Sequence, residues 1–355
     1  MTGLVVSNYL FIFKLQVKRM DPEIVRRYSE EILGEVGKRY GIETDRLHLL
    51  DGFESYIFEF SRSDGNFILR LSHSLRRNRS DIQGEVEWIN YLAEGGAGVA
   101  KAIQSIRGEL VEFVDDNQDG AFLATAFIKA PGNHPTKAQW NPRLFDAWGR
   151  LVGQIHALSK TYVPSSEEYK RYEWNSAENM QVSEWLSPAD EVVQRKFKEL
   201  MDYLQCLEMN CESYGMIHQD AHAGNFFVDQ NYRITLFDFD DCVYGWFIYD
   251  IAMVLFYALM GHENDPEYIK MFTENFLRGY YHQNFIDPLW FREVPYFLKL
   301  REIDLYAQIY FAFGGFDNIN DAWCQNYIRG RKQRIEEEIP YIDFNWDLFT
   351  KQFQP

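Results

Sequence analysis

The sequence predicts an α+β protein with two lobes, in which a small antiparallel sheet precedes a larger and mainly helical region. Short strand-like runs fill much of the chain before residue 129, whereas apolar residues after residue 140 recur mostly at helical spacing. A loop and two short apolar runs at 216–241 interrupt the helical part. We therefore expect an N-terminal extension at 1–19, a first lobe at 20–128 and a second lobe at 129–355.

The composition indicates a folded globular protein that does not bind nucleic acid. The 355 residues are 46% apolar and 17% aromatic, and the formal net charge is −17. Proteins that bind nucleic acid usually present a basic surface, and this strongly acidic composition argues against one. The negative charge is compatible with a cationic substrate. The four cysteines show no paired metal spacing and indicate free thiols in a reducing compartment, so we expect a cytoplasmic protein.

The first nineteen residues contain a short and interrupted apolar run without a basic segment before it. Such a run is a poor signal peptide and is too short to span a membrane. We expect residues 1–19 to precede the fold and the protein to have no membrane partner. An extra β-strand packed on the first lobe is the alternative.

The first lobe is predicted to begin with a helix and to alternate strands with one further helix. Asp21 can cap the first helix, which should continue to Tyr40, and Ser80 with Gln83 forms a possible capping box for the second. The predicted strands cover 48–50, 56–60, 67–71, 109–114 and 121–127, and the second helix covers 80–93.

The second lobe is predicted to be helical on both sides of the central loop. One helix begins at Asn141 and carries His156, which we expect to brace the core or a loop rather than bind a ligand. A polar insertion at 160–190 separates it from the next helix. The remaining predicted helices cover about 190–208, a segment from 265, 295–313 and 321–337.

The central segment, MIHQDAHAGNFFVDQNYRITLFDFDD, concentrates the polar residues that suit phosphoryl transfer. His218 precedes Asp220 by two residues, Asn225 follows Asp220 by five, and Asp238 ends the second apolar run. This is the spacing of a kinase catalytic loop followed by a metal-binding aspartate. Asp220 would orient the attacking hydroxyl and accept its proton, while Asn225 and Asp238 would hold Mg²⁺ against nucleotide phosphates. His218 would support the loop through hydrogen bonds.

HQDAHAGNFFVD followed by ITLFDFDD resembles the aminoglycoside phosphotransferase (phosphotransferase enzyme) family. That family has the protein-kinase-like fold and includes kinases for aminoglycosides, choline and homoserine. The resemblance implies ATP and Mg²⁺ as cofactors and a small-molecule hydroxyl as acceptor. It also implies that Asp250 braces the catalytic loop, although a simple helix cap is the alternative. Asp240 would brace the loop or reach the substrate or a second metal ion.

The same resemblance assigns nucleotide-binding roles to the first lobe. The turn that ends at Ser55 would cover the phosphates, although it lacks a G-x-G-x-x-G. Arg70 occupies the position of the usual lysine and would pair with Glu85, although arginine and lysine are not interchangeable. Main-chain groups near Phe127 and Ile128 would bind adenine between the lobes.

Two other functions and the nature of the acceptor stay open. A protein Ser/Thr kinase is disfavoured because only eleven residues separate Asp238 from Asp250, without an A-P-E segment. A non-catalytic nucleotide-binding or structural relative would explain Arg70 but not the complete polar set. Acidic and aromatic residues on one late helix would suit an amine-bearing alcohol, and these are Glu302, Asp304, Tyr306 and Tyr310.

Overall fold

The computed structural model describes residues 20–52, 54–177 and 180–353. The predicted extension at 1–19, with its alternative as a strand, lies outside the described residues. The first part of the chain contains three helices and six strands in these ranges. The helices are α1 (Pro22–Arg27), α2 (Glu30–Tyr40) and α3 (Arg79–Glu94). The strands are β1 (His48–Gly52), β2 (Tyr56–Arg62), β3 (Gly65–His73), β4 (Ala102–Ile103), β5 (Glu112–Asp115) and β6 (Ala121–Ile128).

These six strands form one antiparallel sheet in the order β1-β2-β3-β6-β4, with β5 also paired to β6. The central strand β3 is buried along most of its length because β2 and β6 flank it and helices cover the sheet. Its register places Arg70 opposite Thr125 of β6. The structure therefore contains the small antiparallel sheet that the sequence predicts.

The remainder is mainly helical, with two short two-stranded sheets. The helices are α4 (Pro142–Ser159), α5 (Val182–Trp185), α6 (Glu191–Leu204), α7 (Phe247–Ala258), α8 (Pro266–Tyr281), α9 (Val294–Phe313), α10 (Ala322–Ile328), α11 (Arg331–Glu336) and α12 (Asp347–Gln352). The strands are β7 (Tyr214–Ile217), β8 (Phe226–Val228), β9 (Ile234–Leu236) and β10 (Val243–Trp246). β7 pairs with β10, and β8 pairs with β9, both antiparallel.

Several predicted boundaries were wrong for local reasons. The helix expected over 21–40 is two helices, because Ser29 caps the second one by accepting a hydrogen bond from the Ile32 N–H. The capping box of α3 uses Asn78 and Asp81 instead of Ser80 and Gln83. The helix expected over 321–337 is divided at Gly330, which has a φ of +69°.

Helix α3 joins the cores of the two lobes. Its buried residues near the N-terminus, Ile82 and Val86, pack with β4 and β6 of the first lobe. Trp88, Ile89 and Leu92 belong to the large apolar core of the helical part. The N-terminal half of α3 thus packs in the core of the first lobe, and its C-terminal half packs in the core of the second. Among the described residues, no helix is both long and apolar enough to cross a membrane.

Helices α4 and α8 approach each other closely through glycines. A Cβ added at Gly149 would lie 1.8 Å from the Phe276 carbonyl oxygen. We expect Gly149→Ala to lower the free energy of unfolding by about 3 kcal/mol, because backbone must move to relieve the overlap. Gly34→Ala in α2 is the control, since its added Cβ would meet nothing closer than 3.9 Å. Urea denaturation of both variants tests this, and equal stabilities would contradict it.

Candidate active site

The polar residues of the central segment lie in two loops that the strands hold side by side. The first loop joins β7 to β8, and the second joins β9 to β10. The β7–β10 register pairs Ile217 with Val243, so the loops leave the same end of this sheet. The loops are also bonded directly, because the Phe237 N–H donates to the Asn225 carbonyl at 2.8 Å. Asp220, Asn225 and Asp238 therefore come from adjoining loops.

Asp250 braces the first loop from the first turn of α7. Its carboxylate accepts the N–H of His218 at 3.1 Å and the N–H of Gln219 at 2.8 Å. These bonds hold Gln219 in the left-handed region, at a φ of +68°. The alternative of a helix cap was wrong, because α7 begins at Phe247 and has no side-chain cap. The bracing contacts expected for Asp250 are present.

His156 completes this brace from α4. Its Nε2 lies 3.1 Å from Asp250 Oδ2, and its Nδ1 lies 2.9 Å from the Tyr280 hydroxyl. Burial lowers the pKa of His156, so the neutral ring donates to Asp250 through Nε2 and accepts from Tyr280 through Nδ1. The structure thus confirms that His156 is a bracing histidine.

His218 is buried and links the two loops. Its Nδ1 accepts the Asp220 N–H at 3.3 Å, so its Nε2 carries the proton and donates to the Phe237 carbonyl at 3.1 Å. Burial lowers the pKa of His218, which favours this neutral form. The hydrogen bonds are those expected of a residue that supports the catalytic loop.

The two carboxylate oxygens of Asp220 have different surroundings. Oδ2 lies 3.2 Å from His222 Nε2 and accepts a 3.1 Å bond from Asn225 Nδ2. His222 Nδ1 accepts the Gly224 N–H at 3.0 Å, which leaves the ring proton on Nε2. Oδ1 is buried, has no hydrogen-bond partner among the described residues, and lies 3.9 Å from Arg301 Nη2. Oδ1 is therefore the oxygen available to an incoming hydroxyl.

Charge around Asp220 keeps it ionised. Burial alone would raise its pKa, but His222 and then Arg301 more than offset this and hold the pKa well below the usual 3.8. A carboxylate that remains ionised can accept a hydrogen bond from a hydroxyl at neutral pH. Because its basicity is low, it suits orienting the hydroxyl more than removing its proton early in the reaction.

Asp238 has the opposite electrostatic environment. Burial, together with the neighbouring Asp240 and Asp241, raises its pKa to about 7. Its φ of +65° is in the left-handed region, which aspartate tolerates better than most residues. A carboxylate held among like charges gains most from a bound cation. The site therefore fits a divalent metal ion at Asp238.

Asn225 provides a second oxygen for such an ion. Its Nδ2 donates to the Asp220 carbonyl at 2.9 Å and to Asp220 Oδ2, so Oδ1 is the atom of this side chain that could bind the ion. The described ranges contain no group of three or more His, Cys, Asp or Glu suited to a metal. A kinase site needs fewer protein ligands, because nucleotide phosphates and water complete the oxygen shell of Mg²⁺.

Arg70 and Glu85 form the buried ion pair that the sequence predicts. Arg70 Nη1 and Nη2 donate to the two oxygens of Glu85 at 2.8 and 2.6 Å. The Arg70 guanidinium also lies 5.3 Å from the centre of the Phe127 ring. A lysine cannot make this bidentate contact, so the arginine changes the geometry of the pair while keeping its charge.

The contacts of Ser55 and Ile128 give little support to the nucleotide-binding roles predicted for them. The Ser55 hydroxyl is buried and bonds to the Ser72 hydroxyl at 2.8 Å, while residue 53 of the same turn lies outside the described residues. The Ile128 N–H donates to the Lys101 carbonyl at 2.9 Å. The Ile128 N–H is therefore not free to bind adenine in this structure. Adenine would have to form hydrogen bonds with other main-chain groups near Phe127.

Asp240 is held by three arginines, of which the sequence analysis named Arg70 but missed Arg76 and Arg77. Arg76 Nη2 donates to Asp240 Oδ2 at 2.5 Å, Arg77 Nε lies 3.5 Å away, and Arg70 Nη1 lies 3.9 Å from Oδ1. Burial opposes ionisation, but these cations hold the Asp240 pKa well below its usual value. Arg76 also binds Glu54, which precedes Ser55 in the turn expected over the phosphates. Through these contacts Asp240 links the β9–β10 loop, which also carries Asp238, to the first lobe.

Two of the α9 residues predicted to contact the acceptor are buried inside the fold instead. Glu302 is fully buried and bonds to Lys299 and, at 2.7 Å, to Arg331. Tyr306 is buried and donates to Asp190 at 3.3 Å. The prediction that these two side chains line an acceptor pocket was wrong, because both are used inside the fold.

Comparison with known proteins decides the family. Residues 46–285 match the sequence profile of the phosphotransferase enzyme family. The chain belongs to the phosphotransferase enzyme family. A relative from Bacillus subtilis (strain 168) named amicoumacin kinase is 35% identical over 328 residues, covering 91% of this chain and 96% of the relative. This phosphotransferase is therefore a small-molecule kinase that uses an alcohol group as acceptor.

Solved structures agree with this assignment. The amicoumacin kinase hAmiN, solved in complex with AMP-PNP, Ca²⁺ and Ami, is 34% identical with a TM-score of 0.88, covering 93% of this chain and 100% of hAmiN. A microcompartment-associated aminopropanol kinase is 19% identical with a TM-score of 0.68, covering 88% of this chain and 98% of its own, and shows the shared fold. The predicted bilobal, protein-kinase-like fold is confirmed.

The buried ion pair of the phosphotransferase gives a stability prediction. Glu85→Ala should cost about 3–5 kcal/mol of unfolding free energy, because it leaves the Arg70 charge buried without its partner. Glu87→Ala is the matched control, since Glu87 is half-buried on the same helix and accepts only the Ser165 N–H at 3.1 Å among the bonds resolved for it. Its cost should be about 1 kcal/mol. Denaturation midpoints that shift equally in both variants would contradict the assignment.

Proposed function

We propose that this protein transfers the γ-phosphate of ATP, with Mg²⁺, to a hydroxyl of a small amine-bearing compound such as amicoumacin. The observation that carries the proposal is the arrangement of Asp220. Its Oδ1 has no hydrogen-bond partner among the described residues, and its Oδ2 accepts from the metal-ligand candidate Asn225, whose loop is bonded to the loop of Asp238. Support also comes from the amicoumacin kinase relative and from the AMP-PNP and Ca²⁺ complex of hAmiN. The net charge of −17 would attract a cationic acceptor.

Asp220 would act on the acceptor. Its Oδ1 would accept the hydrogen bond of the attacking hydroxyl and fix the direction of attack, while Oδ2 remains bonded to His222 and Asn225. The hydroxyl proton would pass to Asp220 late, because phosphoryl transfer needs little nucleophile activation before the transition state. His218 and Asp250 would serve as positioning residues, since their side chains accept the backbone N–H groups from His218 to Asp220.

Asn225 and Asp238 would hold Mg²⁺, which when bound neutralises charge on the phosphates. Binding would also offset the repulsion that Asp238 experiences from Asp240 and Asp241. Arg70 would contact the α- and β-phosphates, with Glu85 fixing the direction of its guanidinium. The proposal assigns the nucleotide to the first lobe, 20–128, and the acceptor to the second.

A non-catalytic nucleotide-binding protein is the alternative that Arg70 in place of lysine suggests, but the family and the amicoumacin kinase relative disfavour it. Such a protein has no need for a carboxylate oxygen kept free of partners at the position of the base. A protein kinase is disfavoured by the short segment between Asp238 and Asp250. The proposal therefore favours catalysis on a small acceptor.

The test is acceptor-dependent ADP release by the purified protein, with Mg·ATP or with ATP and EDTA. The acceptors are amicoumacin, 1-aminopropan-2-ol, choline, an aminoglycoside and casein. We expect release with amicoumacin or another small amine-bearing alcohol, and none with EDTA. Release only with casein would favour the protein kinase, and tight Mg·ATP binding without release for any acceptor would favour the non-catalytic protein.

A further inference from the structure

A buried arginine lies beside the base candidate, and nothing in the catalytic scheme above uses it. Arg301 belongs to α9, and its side chain is only 15% exposed. Its Nε donates to the Tyr257 hydroxyl at 3.2 Å and its Nη1 donates to Asp304 at 2.5 Å. Its Nη2 also bonds to the Tyr257 hydroxyl. These contacts fix the guanidinium with Nη2 facing Asp220.

Arg301 and Asp220 face each other with one N–H and one carboxylate oxygen that take part in no hydrogen bond resolved for the described residues. Arg301 Nη2 has two hydrogens, and the Tyr257 bond uses one. Asp220 Oδ1 has no hydrogen-bond partner within the described ranges. The two atoms are 3.9 Å apart, which is too far for a hydrogen bond. A ligand that offers both a hydroxyl donor and an oxygen acceptor would satisfy both groups.

Resting on the proposed function, we propose that Arg301 determines acceptor specificity by binding an oxygen on the carbon next to the reacting hydroxyl. The reacting hydroxyl would donate to Asp220 Oδ1, and the neighbouring oxygen would accept from Arg301 Nη2. The acceptor class is therefore a 2-hydroxy carbonyl compound or a vicinal diol. Any amine of the acceptor would lie further from the reacting carbon.

An ammonium group on the carbon next to the reacting hydroxyl would fit poorly beside Arg301 Nη2. The cation would meet the guanidinium of Arg301 at close range, and like charges repel. Asp304 could attract it, but its Oδ2 already accepts from Arg301 and, at 2.9 Å, from Gln308. The Tyr257 ring could also attract it, but Arg301 lies over that ring at 5.5 Å from its centre. Arg301 thus already uses Asp304 Oδ2 and the Tyr257 ring, two of the groups that could recognise a cation.

Three probes with one carbon skeleton test this inference. They are 2-hydroxypropanamide, propane-1,2-diol and 1-aminopropan-2-ol, which differ only in the group beside the hydroxyl. Transfer from Mg·ATP is measured as kcat/KM for each, with amicoumacin as the reference acceptor. We expect the amide or the diol to exceed the amino alcohol by about tenfold or more, since one charge-assisted hydrogen bond contributes about that factor. The amide and diol results distinguish a carbonyl from a hydroxyl neighbour.

Substitutions of Arg301 test whether this residue causes the preference for the amide or the diol over the amino alcohol. Arg301→Gln should reduce the preference over the amino alcohol by about tenfold, mainly through a higher KM for the amide and the diol. Arg301→Lys keeps a cation and should retain part of the preference, which covers the case that the glutamine variant does not fold. Arg331→Gln is the matched control. Arg331 has a side chain 14% exposed and bonds to Glu302, and no resolved contact joins it to Asp220.

The outcomes separate the inference from the proposed function. A wild-type preference for the amino alcohol, or a preference unchanged in both Arg301 variants, would overturn the inference alone. Transfer to amicoumacin with none to any of the three probes would also overturn it. Absence of transfer to every acceptor, amicoumacin included, would overturn the proposed function and the inference with it.

Discussion

Asp220→Asn should lower kcat by about 10²–10⁴-fold while leaving Mg·ATP affinity near the wild-type value, because the amide cannot accept a proton. The substitution preserves side-chain volume. It also keeps one oxygen for the bonds that Oδ2 makes with His222 and Asn225. The amide N–H₂ would then replace the unpartnered Oδ1 and present a donor to the acceptor hydroxyl. Steady-state ADP release and titration with Mg·ATP measure the two quantities separately.

Asp229→Asn is the matched control for this loss. Asp229 lies in the β8–β9 turn, where it accepts the N–H groups of Asn231 at 2.7 Å and Arg233 at 2.9 Å. The control removes the same charge from the next turn of the chain, at the other end of β8, and should keep a near-normal kcat. An Asp220→Asn protein with wild-type turnover would exclude Asp220 as the base.

Asp238→Asn should weaken Mg·ATP binding by about 10²-fold or more and leave the metal-free fold intact or more stable, since an amide is a poorer metal ligand than a carboxylate. Asparagine tolerates the left-handed φ of +65°, so the backbone should not change. Burial and the charges of Asp240 and Asp241 disfavour the ionised carboxylate of Asp238. A neutral side chain of the same size removes that penalty.

The pH dependence of this stability difference follows from the raised pKa. Asp238 ionises near 3.8 in the unfolded chain and at about 7 in the folded one. The unfolded state therefore loses this proton first as pH rises, and the wild type is destabilised progressively between these two values and fully above about 7. Without metal, the stability advantage of Asp238→Asn should grow over that range. An advantage that shrinks as pH rises, or Mg·ATP affinity equal to wild type, would contradict the assignment.

Local signals made the catalytic loops predictable from sequence. The spacing of His218, Asp220, Asn225 and Asp238 reflects chemistry that needs these groups in two adjoining loops. The ion pair of Arg70 with Glu85 was predicted through the family resemblance, and the structure contains it. The strands β7 and β10 were missed because they pair with each other across a long stretch of chain, so no hairpin turn marks them as it marks β8 and β9.

Long-range ion pairs were the main features that could not be read from sequence. Arg76 binds Asp240 across 164 positions of the chain, and no local pattern connects them. The basic run at 76–79 after a strand was the only available signal, and it does not specify a partner. Arg301 gives no local signal either, because it stands among acidic and aromatic residues of α9 and its contact with Asp220 is long-range. Packing of α9 against α7 decided which of these residues reaches the site.

The most direct test of the central claim is the fate of the γ-phosphate in a reaction with Mg·ATP and amicoumacin. Phosphorus NMR and mass spectrometry of the products distinguish a phosphate ester on the acceptor from free phosphate. We predict stoichiometric ADP and phosphorylated acceptor with the wild type, and at the same early time point about 10²-fold less of both, or lower still, with Asp220→Asn. Free phosphate without an ester, or an equal yield of ester from both proteins, would contradict transfer directed by Asp220.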